Sequence, residues 1–91
     1  MKKYVIERDM PGVGKKTAPE LRDASAHSNN VLGDLGPGIQ WVQSYVTGDK
    51  IFCVYLAESE KLIRDHAAKS GFPADKIHEV RAVIDPTTAN P

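Results

Sequence analysis

The chain has 91 residues, enough for one domain with a single core, but small enough that covering a further surface with a partner adds appreciably to stability. Twelve Lys and Arg balance twelve Asp and Glu, which argues against a purely electrostatic binder of nucleic acid or anionic membrane. Cys53 is the one cysteine, so no internal disulfide can form, and no apolar run approaches the length of a membrane span. The expectation is a soluble, unprocessed cytoplasmic protein.

In chain order, Lys2 to Arg8 reads as a strand, with Tyr4 and Ile6 on one face, Val5 and Glu7 on the other, and a charged far end. DMPGVGKK, residues 9–16, follows as a glycine-containing loop. Thr17-Ala-Pro-Glu20 matches a capping box with Pro19 tolerated in the first turn, so a helix starts there. Its inner stripe, Leu21, Ala24, Ser25, Ser28, Leu32 and Leu35, is thin and made of small residues in the middle, and Gly36-Pro37-Gly38 ends it. IQWVQSYV, residues 39–46, alternates as a strand, and Thr47-Gly48-Asp49 is short enough for a hairpin into Ile51 to Leu56. The stretch from Ile51 to Pro73 is the best-specified unit of the chain. It holds that apolar strand, Ser59 as N-cap, a helix with Leu62, Ile63, His66, Ala67 and Ser70 along one face, Gly71 as a left-handed stop and Pro73 behind it. A last strand is expected over Ile77 to Ile84, and a Pro- and Thr-rich tail closes the chain. The domain boundaries expected are 1–85 for the folded unit and 86–91 for an irregular tail.

Strand, helix, strand, strand, helix, strand, joined by right-handed crossovers, predicts an α+β ferredoxin-like βαββαβ sandwich, an antiparallel sheet with two helices on one face. Assigning the more aliphatic sets to the helix side puts Tyr4, Ile6, Val42, Val46, Phe52, Val54, Leu56, Val80 and Ile84 inside. The open face would then carry Val5, Glu7, Trp41, Gln43, Tyr45, Ile51, Cys53, Tyr55, Ile77, Glu79 and Arg81. Such a face is too apolar for water and too polar for a plain core, which predicts face-to-face dimerisation of two sheets, the dimeric α+β barrel arrangement.

Candidate sites follow from side-chain chemistry. Gly12-Val-Gly14-Lys15-Lys16-Thr17 invites comparison with a phosphate loop, but Asp9 stands where a P-loop needs its first glycine and Lys16 where it needs Ser or Thr. Asp23 and His27, four apart on a helix, can converge on one divalent ion or remain solvated neighbours. His66 lies on the apolar stripe of the second helix, as a core histidine or a ligand, and His78 and Glu79 point to opposite faces of their strand. With the faces assigned as above, Glu7, Gln43, Cys53, Tyr55 and Glu79 gather on the open face. They form either a ligand pocket with two carboxylates for acid–base work or a hydrogen-bond network fixing dimer register. The pocket would suit a small-molecule enzyme of the dimeric α+β barrel type.

Three segments, YVIERDMPGVG, LGPGIQWVQSYVTGDKIFCVYLAE and IRDHAAKSGFPADKIHEVRAVIDPTT, together covering most of the chain, carry a resemblance. The combination of Trp41-Val-Gln-Ser-Tyr-Val, Phe52-Cys-Val-Tyr-Leu-Ala-Glu and His66 before Gly71-Phe-Pro resembles a family of small bacterial ferredoxin-like proteins, a domain-of-unknown-function family whose characterised member binds nickel. The resemblance implies a homodimer and Ni²⁺ held at its surface for sequestration or detoxification, while the balanced charge and the lack of a spanning run carry the expectation of no nucleic-acid or membrane partner. It does not imply an enzyme. The metal ligands expected on side-chain chemistry are Asp23, His27, His66 and His78.

Overall fold

In the computed structural model of residues 1–91, strand β1 spans Lys2–Asp9, helix α1 Ala18–Leu35, β2 Ile39–Val46, β3 Lys50–Ala57, α2 Glu60–Ser70 and β4 Lys76–Glu79. Short 3-10 turns cover Val13–Lys15 and Pro86–Ala89. The four strands form one antiparallel sheet in the order β2-β3-β1-β4. Both helices pack on one face of it, where Leu32 and Leu35 of α1 and Leu62 and Ile63 of α2 meet a cluster of Tyr4, Ile6, Ile39, Cys53, Tyr55 and Ala57. This is the ferredoxin-like arrangement predicted from the element order.

Most local signals act as their chemistry requires, although Ser59, at the N-cap position of α2, makes no side-chain capping bond. The Glu20 amide donates to Thr17 Oγ1, and the Glu20 carboxylate accepts from the Thr17 amide at 3.0 Å, so two orphan donors at the start of α1 are satisfied reciprocally. These hydrogen bonds from Thr17 hold the Glu20 carboxyl below the usual range. At the end of α2, Gly71 takes φ 79°, which favours glycine, and its amide closes the helix on the Ala67 carbonyl. The β2–β3 hairpin is pinned by Thr47, whose amide and hydroxyl both donate to the Lys50 carbonyl.

The glycine loop after β1 is a docking device for that hairpin. The Gly12 amide donates to the Asp49 carboxylate at 2.9 Å and the Gly14 amide to the Gly48 carbonyl at 3.0 Å. The amides of Val13, Lys15 and Lys16 close on carbonyls within the loop itself. A Cβ on Gly14 would stand 2.8 Å from the Thr47 carbonyl oxygen, so glycine is needed there for close approach. With its amides committed, the loop has none to cradle a phosphate.

The structure corrects the face assignment of β2 and β3. Cross-strand partners share a face, and Tyr4 stands opposite Tyr55 and Ile6 opposite Cys53, so Ile51, Cys53, Tyr55 and Ala57 face the helices while Phe52, Val54 and Leu56 lie on the open face. In β2 a bulge between Trp41 and Gln43 makes Val42 an extra residue. Trp41 therefore pairs with Tyr55, and Ser44 with Cys53, on the helix face, joined by a Trp41 Nε1 to Ser44 Oγ hydrogen bond of 2.9 Å, while Gln43 and Tyr45 point the other way. In β4, Ile77 opposite Ile6 and Glu79 opposite Tyr4 belong to the helix side. Val42 is left 52% exposed, not inside.

The last strand is shorter than predicted, four residues instead of eight. Past Glu79 a single bond, from the Val80 amide to the Lys3 carbonyl, continues the pairing before β1 runs out. Ile84, expected inside, is 78% exposed, and Val83 beside it is 71% exposed. A strand pattern without a neighbouring edge has nowhere to place its backbone hydrogen bonds.

Candidate functional site

The open face of the sheet carries an apolar stripe with a polar rim. Phe52, Val54 and Leu56 run down β3, with Val5 beside Val54 and Tyr45 beside Phe52. Around them stand Lys3, Glu7, Gln43, Lys76 and His78. Glu7 and His78, on neighbouring strands, meet: His78 Nε2 lies 3.2 Å from Glu7 Oε1. Lys50 Nζ approaches the other carboxylate oxygen of Glu7 at 3.6 Å and Asp9 at 3.4 Å. Desolvation opposes ionisation of Glu7, but the His78 hydrogen bond and the charges of Lys76 and Lys50 outweigh it and hold the carboxyl below its usual range. Glu7 is therefore an anion at neutral pH, with an imidazole beside it.

The remaining predicted site residues separate. Asp23 and His27 are both exposed on α1, but His27 Nε2 lies 2.8 Å from the Ser70 carbonyl oxygen and its ring packs edge-on against Phe72, tying α1 to the end of α2. His66 is fully buried, with Nε2 3.0 Å from Ser28 Oγ and its ring beside Tyr55. Burial, helped by the nearby charges of Arg8 and His27, lowers its pKa to about 4. Its place is the core. The five-residue pocket expected on the open face is divided by the sheet: Glu7 and Gln43 stay there, whereas Cys53 and Tyr55 lie under the helices and Glu79 pairs with Lys2 and Arg81 on that other side. No group of three His, Cys, Asp or Glu side chains converges anywhere in the chain.

The helix side holds something the alternation signalled and the motif reading passed over. Arg8 continues the set of Tyr4 and Ile6, and it is 2% exposed. Its Nη1 donates to the Pro73 carbonyl at 2.6 Å and its Nε to Cys53 Sγ at 3.4 Å. Burial pushes the Tyr55 phenol up, with the neighbouring Arg8 and Ser28 side chains opposing that rise.

Residues 4–80 match the family described as nickel responsive protein SCO4226-like. The chain belongs to this SCO4226-like family. The crystal structure of SCO4226 from Streptomyces coelicolor A3(2) has the same fold: the two agree with a TM-score of 0.73 at 23% sequence identity, over 90% of this chain and 99% of that one. No curated protein matches the chain. No helix in it is long and apolar enough to cross a membrane.

Proposed function

We propose that this member of the family is a non-catalytic, cytoplasmic nickel-binding protein that acts as a homodimer, in nickel sequestration or detoxification. The observation that carries the reading is the Glu7–His78 contact on the uncovered sheet face, the one place where a histidine and a carboxylate side chain come within bonding distance. Imidazole and carboxylate suit Ni²⁺ and favour it over Mg²⁺ and Mn²⁺ in the Irving–Williams order. One chain brings two such donors together, so an octahedral ion would be completed by water or by the same pair from a second copy.

The second copy has a surface to use. The Phe52–Val54–Leu56 stripe with its polar rim has the anatomy of an interface, and the unpaired segment at Val83 and Ile84 offers further apolar surface. Parent protein should sediment with the mass of two chains, and Val54→Lys, which places a cation mid-stripe, should sediment as one. Trp41, which pairs with Tyr55 on the helix face, takes no part in this surface. A parent that sediments as a single chain would refute the homodimer.

The nickel test is calorimetric titration of tag-free, chelator-treated protein near neutral pH. His78→Ala and Glu7→Gln should each weaken Ni²⁺ binding at least about tenfold, or about 1.4 kcal/mol, and His27→Ala should leave it unchanged. Binding should also weaken on acidification, since a protonated imidazole cannot ligate. Loss of binding in His27→Ala alone would move the site to Asp23 and His27, and absence of heat in the parent would end the nickel reading.

A further inference from the structure

Between α1 and the β2–β3 half of the sheet the core does not close. Ala24, Ser25 and Ser28, in the middle of the α1 stripe, are too small to fill the gap, leaving a cavity of about 420 Å³. Ten of its sixteen lining residues are hydrophobic, with Trp41, Ile51 and Phe72 among them, and its size falls in the range that encloses small organic ligands. Three charged residues line it: Arg8, Lys16 and Glu20. Lys16 and Glu20 are half-exposed and lie 3.7 Å from each other, so their charges balance. Arg8 is different. It is buried, no carboxylate lies within ion-pair distance, its two satisfied donors go to a neutral carbonyl and a thiol, and Nη2 has no partner at all. A buried guanidinium without a counter-ion is costly, and a planar carboxylate is the acceptor its donor fork fits.

A further donor stands nearby. His66 Nδ1 is also without a partner, which a bare ring nitrogen tolerates better than an N–H; the proton then sits on Nε2 and is donated to Ser28 Oγ. The Ser28 hydroxyl, which also neighbours the Tyr55 phenol, can then turn its hydrogen toward an acceptor in the cavity that both residues line. We propose that this cavity binds a small apolar monocarboxylate, its carboxylate on Arg8 with Ser28 assisting, and its aryl or alkyl body against Trp41, Ile51 and Leu21. One carboxylate is selected because Arg8 is the single uncompensated cation; a second anionic group would meet apolar walls. The site lies on the opposite side of the sheet from Glu7 and His78 and stands independently of nickel.

Trp41 is the only tryptophan, so its fluorescence reports on occupancy. Full-length, tag-free protein would be titrated near neutral pH with phenylacetate, cyclohexylacetate and octanoate, and with neutral phenylacetamide as the charge control. At least one acid should give a saturable change, phenylacetamide should bind at least about tenfold more weakly than phenylacetate, and Arg8→Met should weaken the acids by a similar factor. Because Arg8→Met disturbs the core, Ser25→Leu serves as a second variant that fills the cavity with Arg8 intact; it should fold and show no response. The proposal is overturned if none of the three acids binds, if phenylacetamide matches phenylacetate, or if Ser25→Leu binds like the parent.

Discussion

Replacing Ile6 with alanine lowers the free energy of unfolding by about 3 kcal/mol, within the range that removing an isoleucine side chain to its Cβ costs in a core that collapses only partly around the loss. Ile6 is the site where such a loss has least chance of repair. It is completely buried in β1, an interior strand of the sheet, opposite Cys53 on one side and Ile77 on the other, in the cluster that receives Ile63 from α2. Against the roughly 5–10 kcal/mol that holds a domain of this size, the variant loses a large share of its stability. Urea unfolding at one fixed chain concentration, or in the Val54→Lys background if the protein is dimeric, measures it directly. A loss under about 1 kcal/mol would mean that the core is centred elsewhere.

Acid should weaken the fold through His66, starting from a pH above the range where carboxylates ordinarily titrate. The neutral imidazole is buried against Ser28 and Tyr55, and its pKa falls from 6.5 to about 4. Between those values the unfolded chain holds a proton that the folded chain does not, so stability rises with pH across this window. It is fully present above pH 6.5, is lost progressively as pH falls, and levels off below about 4. The loss amounts to about 2 kcal/mol by pH 5 and about 3 kcal/mol by pH 4. Glu7, Glu20 and Asp85, whose carboxyls are held low by hydrogen bonds, contribute only at lower pH. His66→Gln can still bond Ser28 but cannot titrate in this range. Unfolding midpoints followed from pH 7 to pH 5 should fall in the parent and stay nearly level in that variant; parallel curves would assign the acid sensitivity to another group.

Whatever rests on neighbours in the chain was legible without coordinates. The capping box at Thr17 and Glu20, the Thr47–Asp49 hairpin, the Gly71 stop and the stripe of α2 are signals of a few residues, each with a local physical cause, and their order is enough to yield the ferredoxin-like topology. The inward position of His66 follows from the same stripe. What local pattern could not decide was which face of β3 turns inward. Both of its alternating sets are apolar, so periodicity separates Cys53 and Tyr55 from Phe52 and Val54 without ranking them; the register with Tyr4 and Ile6 does the ranking. The bulge at Val42 is likewise invisible in a run that alternates cleanly, yet one extra residue turns Trp41 toward the helices and leaves Tyr45 outside.

Those long-range choices decide the candidate sites. They dissolve the five-residue pocket, bring His78 to Glu7 from 71 positions away, and put the last residue of the Tyr4–Ile6–Arg8 set beside a cavity where its charge has no counter-ion. By itself, then, the sequence determined the elements, their order and the family. Only the tertiary structure decided which side chains share a face, because cross-strand register and sheet curvature are set by packing the whole chain at once.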